Sequence, residues 1–161
     1  MTGIPHAFFV RETSHIMTAK LPTPGHYAVG NLFFNPKDEA GTLENQNAFT
    51  HIADGLGLRV LRWREVPCDS SILGPSSSSK EPKILQPFVV MREHYGDGDE
   101  SKEGRWDEKR FERQLYVLRK HSTHTLAHTK WFYICSLSTK NIVYKGQLSP
   151  PQVYHCTSNL T

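Results

Sequence analysis

The sequence predicts an α+β domain in which antiparallel strands meet packed helices, and three observations carry that prediction. Two β-rich runs bracket an amphipathic helix in the first half, a longer amphipathic helix precedes two further β-rich runs near the end, and no internal repeat runs through the chain. With 161 residues there is enough chain for one hydrophobic core.

The elements follow in order. Between Ala7 and Lys20 the pattern is short and mixed, with Phe8, Phe9 and Val10 apolar, and it ends before Pro22 and Pro24, so a short helix or turn followed by a linker is expected. Tyr27 to Phe34 (YAVGNLFF) is rich in β-formers, stops at Asn35-Pro36 and reads as a buried strand. Phe49, Ile52, Ala53 and Leu56 recur at helical spacing, and Thr42 as N-cap with Gly57 at the C′ position bounds a helix from residue 43 to residue 56. Leu58 to Trp63 is the next strand. Residues 68–82 (CDSSILGPSSSSKEP) have turn composition and are expected to form an exposed loop.

Ile84 to Met91 (ILQPFVVM) returns to strand character, and Pro87, which lacks a backbone donor, argues for an edge position or a bulge. Residues 94–105 are charged and glycine-rich, an exposed insertion. From Asp107 to Ala127 the residues Phe111, Leu115, Leu118, Ser122 and Leu126 line one helical face. Trp131–Leu137 and Asn141–Lys145 are β-rich, and the three residues between them predict a hairpin.

Composition narrows the function classes. The longest apolar-rich stretches fall far short of the ~20 residues a membrane-spanning helix needs, and mean hydropathy is −0.51, so no transmembrane helix and no membrane partner are expected. The 19 basic residues are spread among 16 acidic ones for a net charge of +3, which does not predict a nucleic-acid partner. In the last helix Arg110, Arg113, Arg119 and Lys120 alternate with Asp107, Glu108 and Glu112, the pattern of a solvated face with local ion pairs. Three widely spaced cysteines, Cys68, Cys135 and Cys156, fit a reducing compartment, and with no leader pattern at the start a cytoplasmic location is expected.

Chemistry-bearing residues are present but do not assemble into a known motif. His121, His124 and His128 share one side of the last helix, but a zinc site needs further ligands at short spacing, and a solvent-facing polar side is the simpler expectation. Cys135 sits in an aromatic and aliphatic run as a small buried hydrophobe would. Asp69, Ser70 and Ser71 lack a nucleophile-elbow context, and the run from Ser76 to Ser79 lacks the glycine spacing of a phosphate loop. No catalytic, cofactor-binding or metal-binding residue is assigned from the sequence.

Seven collinear blocks carry a family resemblance: GIPHAFF (3–9), YAVGNLFF (27–34), LGLRVLRWREVP (56–67), DSSILGP (69–75), EPKILQPFVV (81–90), FERQLYVLRK (111–120) and WFYICSLSTKNIVYKGQLSPPQVY (131–154). In this order they resemble the class II glutamine amidotransferase, or glutaminase, region of the eukaryotic and fungal-type glutamate synthase family. The resemblance implies that residues 1–161 are part of such a domain, truncated at both ends. It implies an incomplete four-layer αββα sandwich of the N-terminal-nucleophile hydrolase type, with two antiparallel sheets between helical layers.

In that family the complete domain takes ammonia from L-glutamine, and ammonia and 2-oxoglutarate are converted to L-glutamate with FMN, an iron-sulfur cluster and NAD(P)H. The glutaminase chemistry needs an N-terminal cysteine, an Asn-Gly oxyanion hole and a substrate-binding arginine. The blocks imply that the cysteine falls before GIPHAFF, and the arginine and Asn-Gly motifs after QVY. The closing HCTSNLT departs from the family pattern. The implied role is a scaffold segment, inactive alone, that takes no cofactor and partners the remainder of the synthase polypeptide, with glutamine bound only in the complete domain. The alternative is a non-catalytic remnant acting as an interaction module.

Overall fold

The computed structural model describes residues 4–14, 21–68, 71, 73–95 and 106–144. In chain order the elements are α1 (His6–Ser14), β1 (Ala28–Phe34), α2 (Glu39–Gly55), β2 (Leu58–Glu65), a one-turn α3 (Pro75–Ser78), β3 (Lys83–Met91), a 3-10 turn (Arg92–His94), α4 (Glu108–Thr125) and β4 (Tyr133–Ser138). The strands form one antiparallel sheet in the order β2-β3-β1-β4. This is the α+β arrangement expected. A single sheet, not two, is found among the described residues.

Helices α2 and α4 cover one face of the sheet. Phe49, Ile52 and Ala53 from α2 and Phe111, Leu115 and Leu118 from α4 pack on Ala28, Leu32, Leu58, Leu85, Val89 and Leu137. Alternation along each strand sends the intervening residues to the opposite face, where Tyr27, Val29, Phe88 and Val90 meet Phe9 of α1 and Leu21. The Phe9 ring meets Phe88 edge-on, their centroids 5.2 Å apart.

Helix boundaries differ from expectation at one end. The N-cap of α2 is Asp38, whose carboxylate accepts from the Gly41 amide at 2.8 Å, while Thr42 is buried one turn inside the helix. Gly57 takes the role expected of it, ending α2 at φ +72, a conformation that costs glycine little. Helix α4 is capped by Asp107, which accepts from the Arg110 amide. The expected loop at 68–82 contains the α3 turn, started by Pro75 in the first helical turn, while Asp69, Ser70 and Ile72 lie outside the described residues. The expected insertion at 94–105 falls outside them from 96 onward.

Pro87 is not on an edge: β3 is central, paired to both β2 and β1. The sheet accommodates the ring by two means. The β2–β3 register shifts between Val60 and Arg62, which places the irregularity in the neighbouring strand. On the β1 side stands Gly30, where an added Cβ would lie 3.0 Å from Pro87 Cγ and 2.8 Å from Leu32 Cδ1. Gly30→Ala is therefore expected to lower stability by ~1–3 kcal/mol, read as a shifted urea midpoint, because the Pro87 ring cannot rotate away.

The expected hairpin is not formed. Strand β4 pairs with β1, from Val29↔Ser138 to Phe33↔Tyr133, with a register shift between Asn31 and Leu32. Residues 141–144 take no strand conformation, and Lys145 lies outside the described residues. The cause is local: both backbone groups of Val143 are taken by side chains of the sheet instead of by a ladder. Its amide donates to Ser136 Oγ at 3.1 Å, and its carbonyl accepts from Asn31 Nδ2 at 3.0 Å and Cys135 Sγ at 3.1 Å. The segment is thereby laid across the sheet face, and Ile142 joins the Phe9 cluster.

Tyr27 makes that cluster sensitive to alkali. Its ring is fully buried, its hydroxyl lies 3.1 Å from His6 Nδ1, and burial pushes the phenol up to about 12 from 10.0. The folded chain holds this proton more tightly than the unfolded chain. The associated stability is complete below about pH 10 and is lost as pH rises through about 12. Tyr27→Phe is expected to flatten this part of the stability profile, as measured by denaturant unfolding on both sides of that window.

Candidate functional site

The face under α1 becomes polar towards its other end. Val29 pairs with Phe88 and Leu32 with Leu85, so the antiparallel register sets Asn31 across from Gln86. Both side chains belong to fully buried residues in otherwise apolar strands, a position that demands hydrogen-bond partners. Gln86 Nε2 donates to Asn31 Oδ1 at 2.8 Å and to the Tyr144 hydroxyl at 3.1 Å, while Gln86 Oε1 accepts from Arg64 Nη1 at 3.0 Å. Arg64, 13% exposed at its side chain, also pairs with Glu12 of α1 at 3.1 Å and lies over the Phe8 ring at 5.2 Å. Asn31 completes the set by donating to Val143.

This network is a connector. It joins α1, through Glu12, to β2, β3 and β1 and on to the 141–144 segment, so that five segments share one connected set of hydrogen bonds centred on the buried Gln86–Asn31 pair. No pair in it has the nucleophile-and-base arrangement of covalent catalysis. Cys135, at its margin, is only partly buried where a buried hydrophobe was expected, and its thiol donates to the Val143 carbonyl at 3.1 Å.

The other chemistry-bearing residues lie apart from it. Cys68 is exposed beyond β2 and directs its thiol at the Val66 carbonyl at 3.6 Å. His121 and His124 are exposed on α4, and His128 is exposed beyond its last turn. Among the described residues no three His, Cys, Asp or Glu side chains are grouped to hold a metal ion. Ser71 is exposed, Ser76 to Ser78 form α3, and Asp69, Ser70 and Cys156 lie outside the described residues.

A shallow cleft of about 260 Å³ opens on the helix-covered side, lined by Glu39, Thr42, Gln46, Trp63, Glu65, Lys83 and Leu85. Its one ion pair, Lys83 with Glu65 at 3.2 Å, is largely solvated on the glutamate side, and the opening is small for a cofactor. No helix among the described residues is long and apolar enough to cross a membrane.

The network was legible only in part. The signal was one amide set in each of two apolar runs, Asn31 in YAVGNLFF and Gln86 in ILQPFVVM. Their mutual contact depends on the register of strands 55 residues apart.

The profile described as "Glutamine amidotransferases class-II" matches residues 1–161. The glutamate synthase [NADH] of Schizosaccharomyces pombe is 53% identical over 155 residues, 96% of this chain and 7% of that protein. The glutamate synthase [NADH] of Saccharomyces cerevisiae is 42% identical over 165 residues, all of this chain and 7% of that protein. The glutamate synthase [NADPH] large chain of Bacillus subtilis is 36% identical over 155 residues, 95% of this chain and 9% of that protein. The chain thus spans less than a tenth of the length of these relatives. Matched along its whole length by the profile and along nearly all of it by three synthases, the chain belongs to the class-II glutamine amidotransferase family, as a segment similar to part of glutamate synthases.

Proposed function

We propose that the chain is a scaffold segment of the glutaminase domain of a glutamate synthase, shaping the domain without supplying its reacting groups. The observation that carries the reading is the Glu12–Arg64–Gln86–Asn31–Val143 network, in which a carboxylate, a guanidinium and two amides tie the helix, the sheet and the 141–144 segment together. In the complete domain a second sheet completes a four-layer αββα sandwich with this one. The nucleophilic cysteine, the oxyanion donors and the arginine for glutamine come from elsewhere in the polypeptide, and the remainder of the synthase is the segment's partner. Ammonia released from L-glutamine there serves the formation of L-glutamate from 2-oxoglutarate in the cytoplasm.

The described residues do not fit the redox groups of such an enzyme. An iron-sulfur cluster needs grouped thiolates, and the two described cysteines lie in separate places, one beyond β2 and one in β4. Neither the G-x-G-x-x-G nor the G-x-x-x-x-G-K-[ST] phosphate loop occurs in the sequence. These groups belong to other parts of the polypeptide in this reading.

The test is ammonia release from L-glutamine by the purified 161-residue chain, its fold checked by circular dichroism. No release above buffer is expected from the folded chain. Release abolished by substituting Cys68, Cys135 or Cys156 would overturn the reading.

A further inference from the structure

The outer side of α4 differs from what its sequence implies. Alternating charges there predict mutual neutralisation, but the structure separates them. Glu108 turns to Lys140 at 2.9 Å, and Glu112 accepts from the Thr139 amide and hydroxyl. Asp107 is spent on the helix cap, and Arg110 pairs with Glu93 at 2.7 Å. All three acidic groups are thus drawn to the helix start or towards the end of β4.

What remains outward is one stripe. Lys109, Arg113, Tyr116, Lys120 and His124 recur at i, i+4, i+7, i+11 and i+15, opposite the buried Phe111, Leu115, Leu118 and Ser122. All five are exposed, and none of the three cations has an ion-pair partner among the described residues. Tyr116 is 55% exposed at the centre of the stripe, with Lys120 Nζ 5.8 Å from its ring centroid, and Val117 beside it is 39% exposed.

We propose that this face of α4 docks an acidic polypeptide segment, glutamates or aspartates meeting Lys109, Arg113 and Lys120 while an apolar side chain covers Tyr116 and Val117. Charge complementarity selects the partner's sign, because among the described residues no carboxylate pairs with Lys109, Arg113 or Lys120. The apolar centre selects its class. Protein interfaces set aromatic anchors within a polar rim, whereas a nucleic-acid track gains its affinity from a continuous row of phosphate contacts. The inference does not depend on the proposed glutaminase role, since it rests on the outer face of α4 and the residues that draw its carboxylates away.

The test uses the full 161-residue chain and two fluorescent probes, a glutamate-rich peptide containing leucines and an oligothymidylate, titrated by anisotropy at low ionic strength. The peptide is expected to bind, and K109E/R113E/K120E to weaken it by at least ~10-fold. Tyr116→Ala should weaken it by ~5-fold, since an aromatic anchor contributes more than rim contacts. K37E/R59E/K80E makes the same change in net charge at other exposed sites and should alter affinity by no more than ~2-fold. Circular dichroism of each variant separates lost binding from lost fold. The proposal is overturned if a folded wild-type chain does not bind the peptide, if both triple variants weaken binding equally, or if the stripe binds oligothymidylate more tightly than the peptide.

Discussion

Gln86→Leu is expected to lower the unfolding free energy by ~2–4 kcal/mol, because it leaves buried polar atoms behind without removing them from the core. Asn31 Oδ1 loses its donor from Gln86 in a fully buried position, and Arg64 loses one of its two acceptors while keeping Glu12. The side chains are similar in size, so the loss is one of hydrogen bonding more than of volume. Urea denaturation reads the free energy, and hydrogen exchange at the Val143 amide reads the local consequence, since the network holds that segment on the sheet. The double variant Asn31→Leu/Gln86→Leu separates the effects: if burial of an unpaired amide dominates, it should be less destabilised than the sum of the single variants, by ~0.5 kcal/mol or more.

Phe111→Ala should cost ~3–5 kcal/mol, the loss for truncating a large buried aromatic. Its ring is fully buried under α4 and meets Trp106 edge-on at 5.4 Å. Trp106 in turn stacks on His26 at 4.2 Å, so the cavity left at Phe111 loosens the packing that ties the start of α4 to the turn before β1. Val117→Ala, on the outer face of the same helix, should change stability by no more than about 0.5 kcal/mol. Thermal or urea unfolding of the two variants side by side therefore checks which face of α4 is buried.

The helices were legible because their stripes depend on local spacing alone. Phe49, Ile52 and Ala53 of α2, and Phe111, Leu115, Leu118 and Ser122 of α4, are all buried as the 3.6-residue period requires. The start of α2 was harder to place, since Asp38 and Thr42 are both good capping residues and Gly41 between them resembles a break. Asp38 wins because its carboxylate reaches the Gly41 amide while Thr42 can be buried inside the first turns.

Sheet order was not legible. Two β-rich runs three residues apart suggest a hairpin to any local rule, but β4 gains more by pairing with buried β1, and the following residues are claimed by Asn31, Cys135 and Ser136. Of the two alternatives for Pro87, the edge position fails for a related reason, while an irregularity does lie in the β2–β3 pairing. The tolerance of Pro87 in a central strand depends on Gly30, a residue far away in sequence that leaves space for the ring. The same holds for α4, where the neutral alternation of charges in sequence separates into paired and unpaired faces only once Glu108 and Glu112 find Lys140 and Thr139.

The most direct measurement replaces the matching segment of the Schizosaccharomyces pombe glutamate synthase [NADH] with these 161 residues and compares glutamate formation from glutamine with that from free ammonia. If the chain is a scaffold segment of the glutaminase domain, the chimera retains both, and Gln86→Leu within it lowers the glutamine-dependent rate more than the ammonia-dependent one. A folded chimera that uses ammonia at the parent's rate but cannot use glutamine would contradict the account.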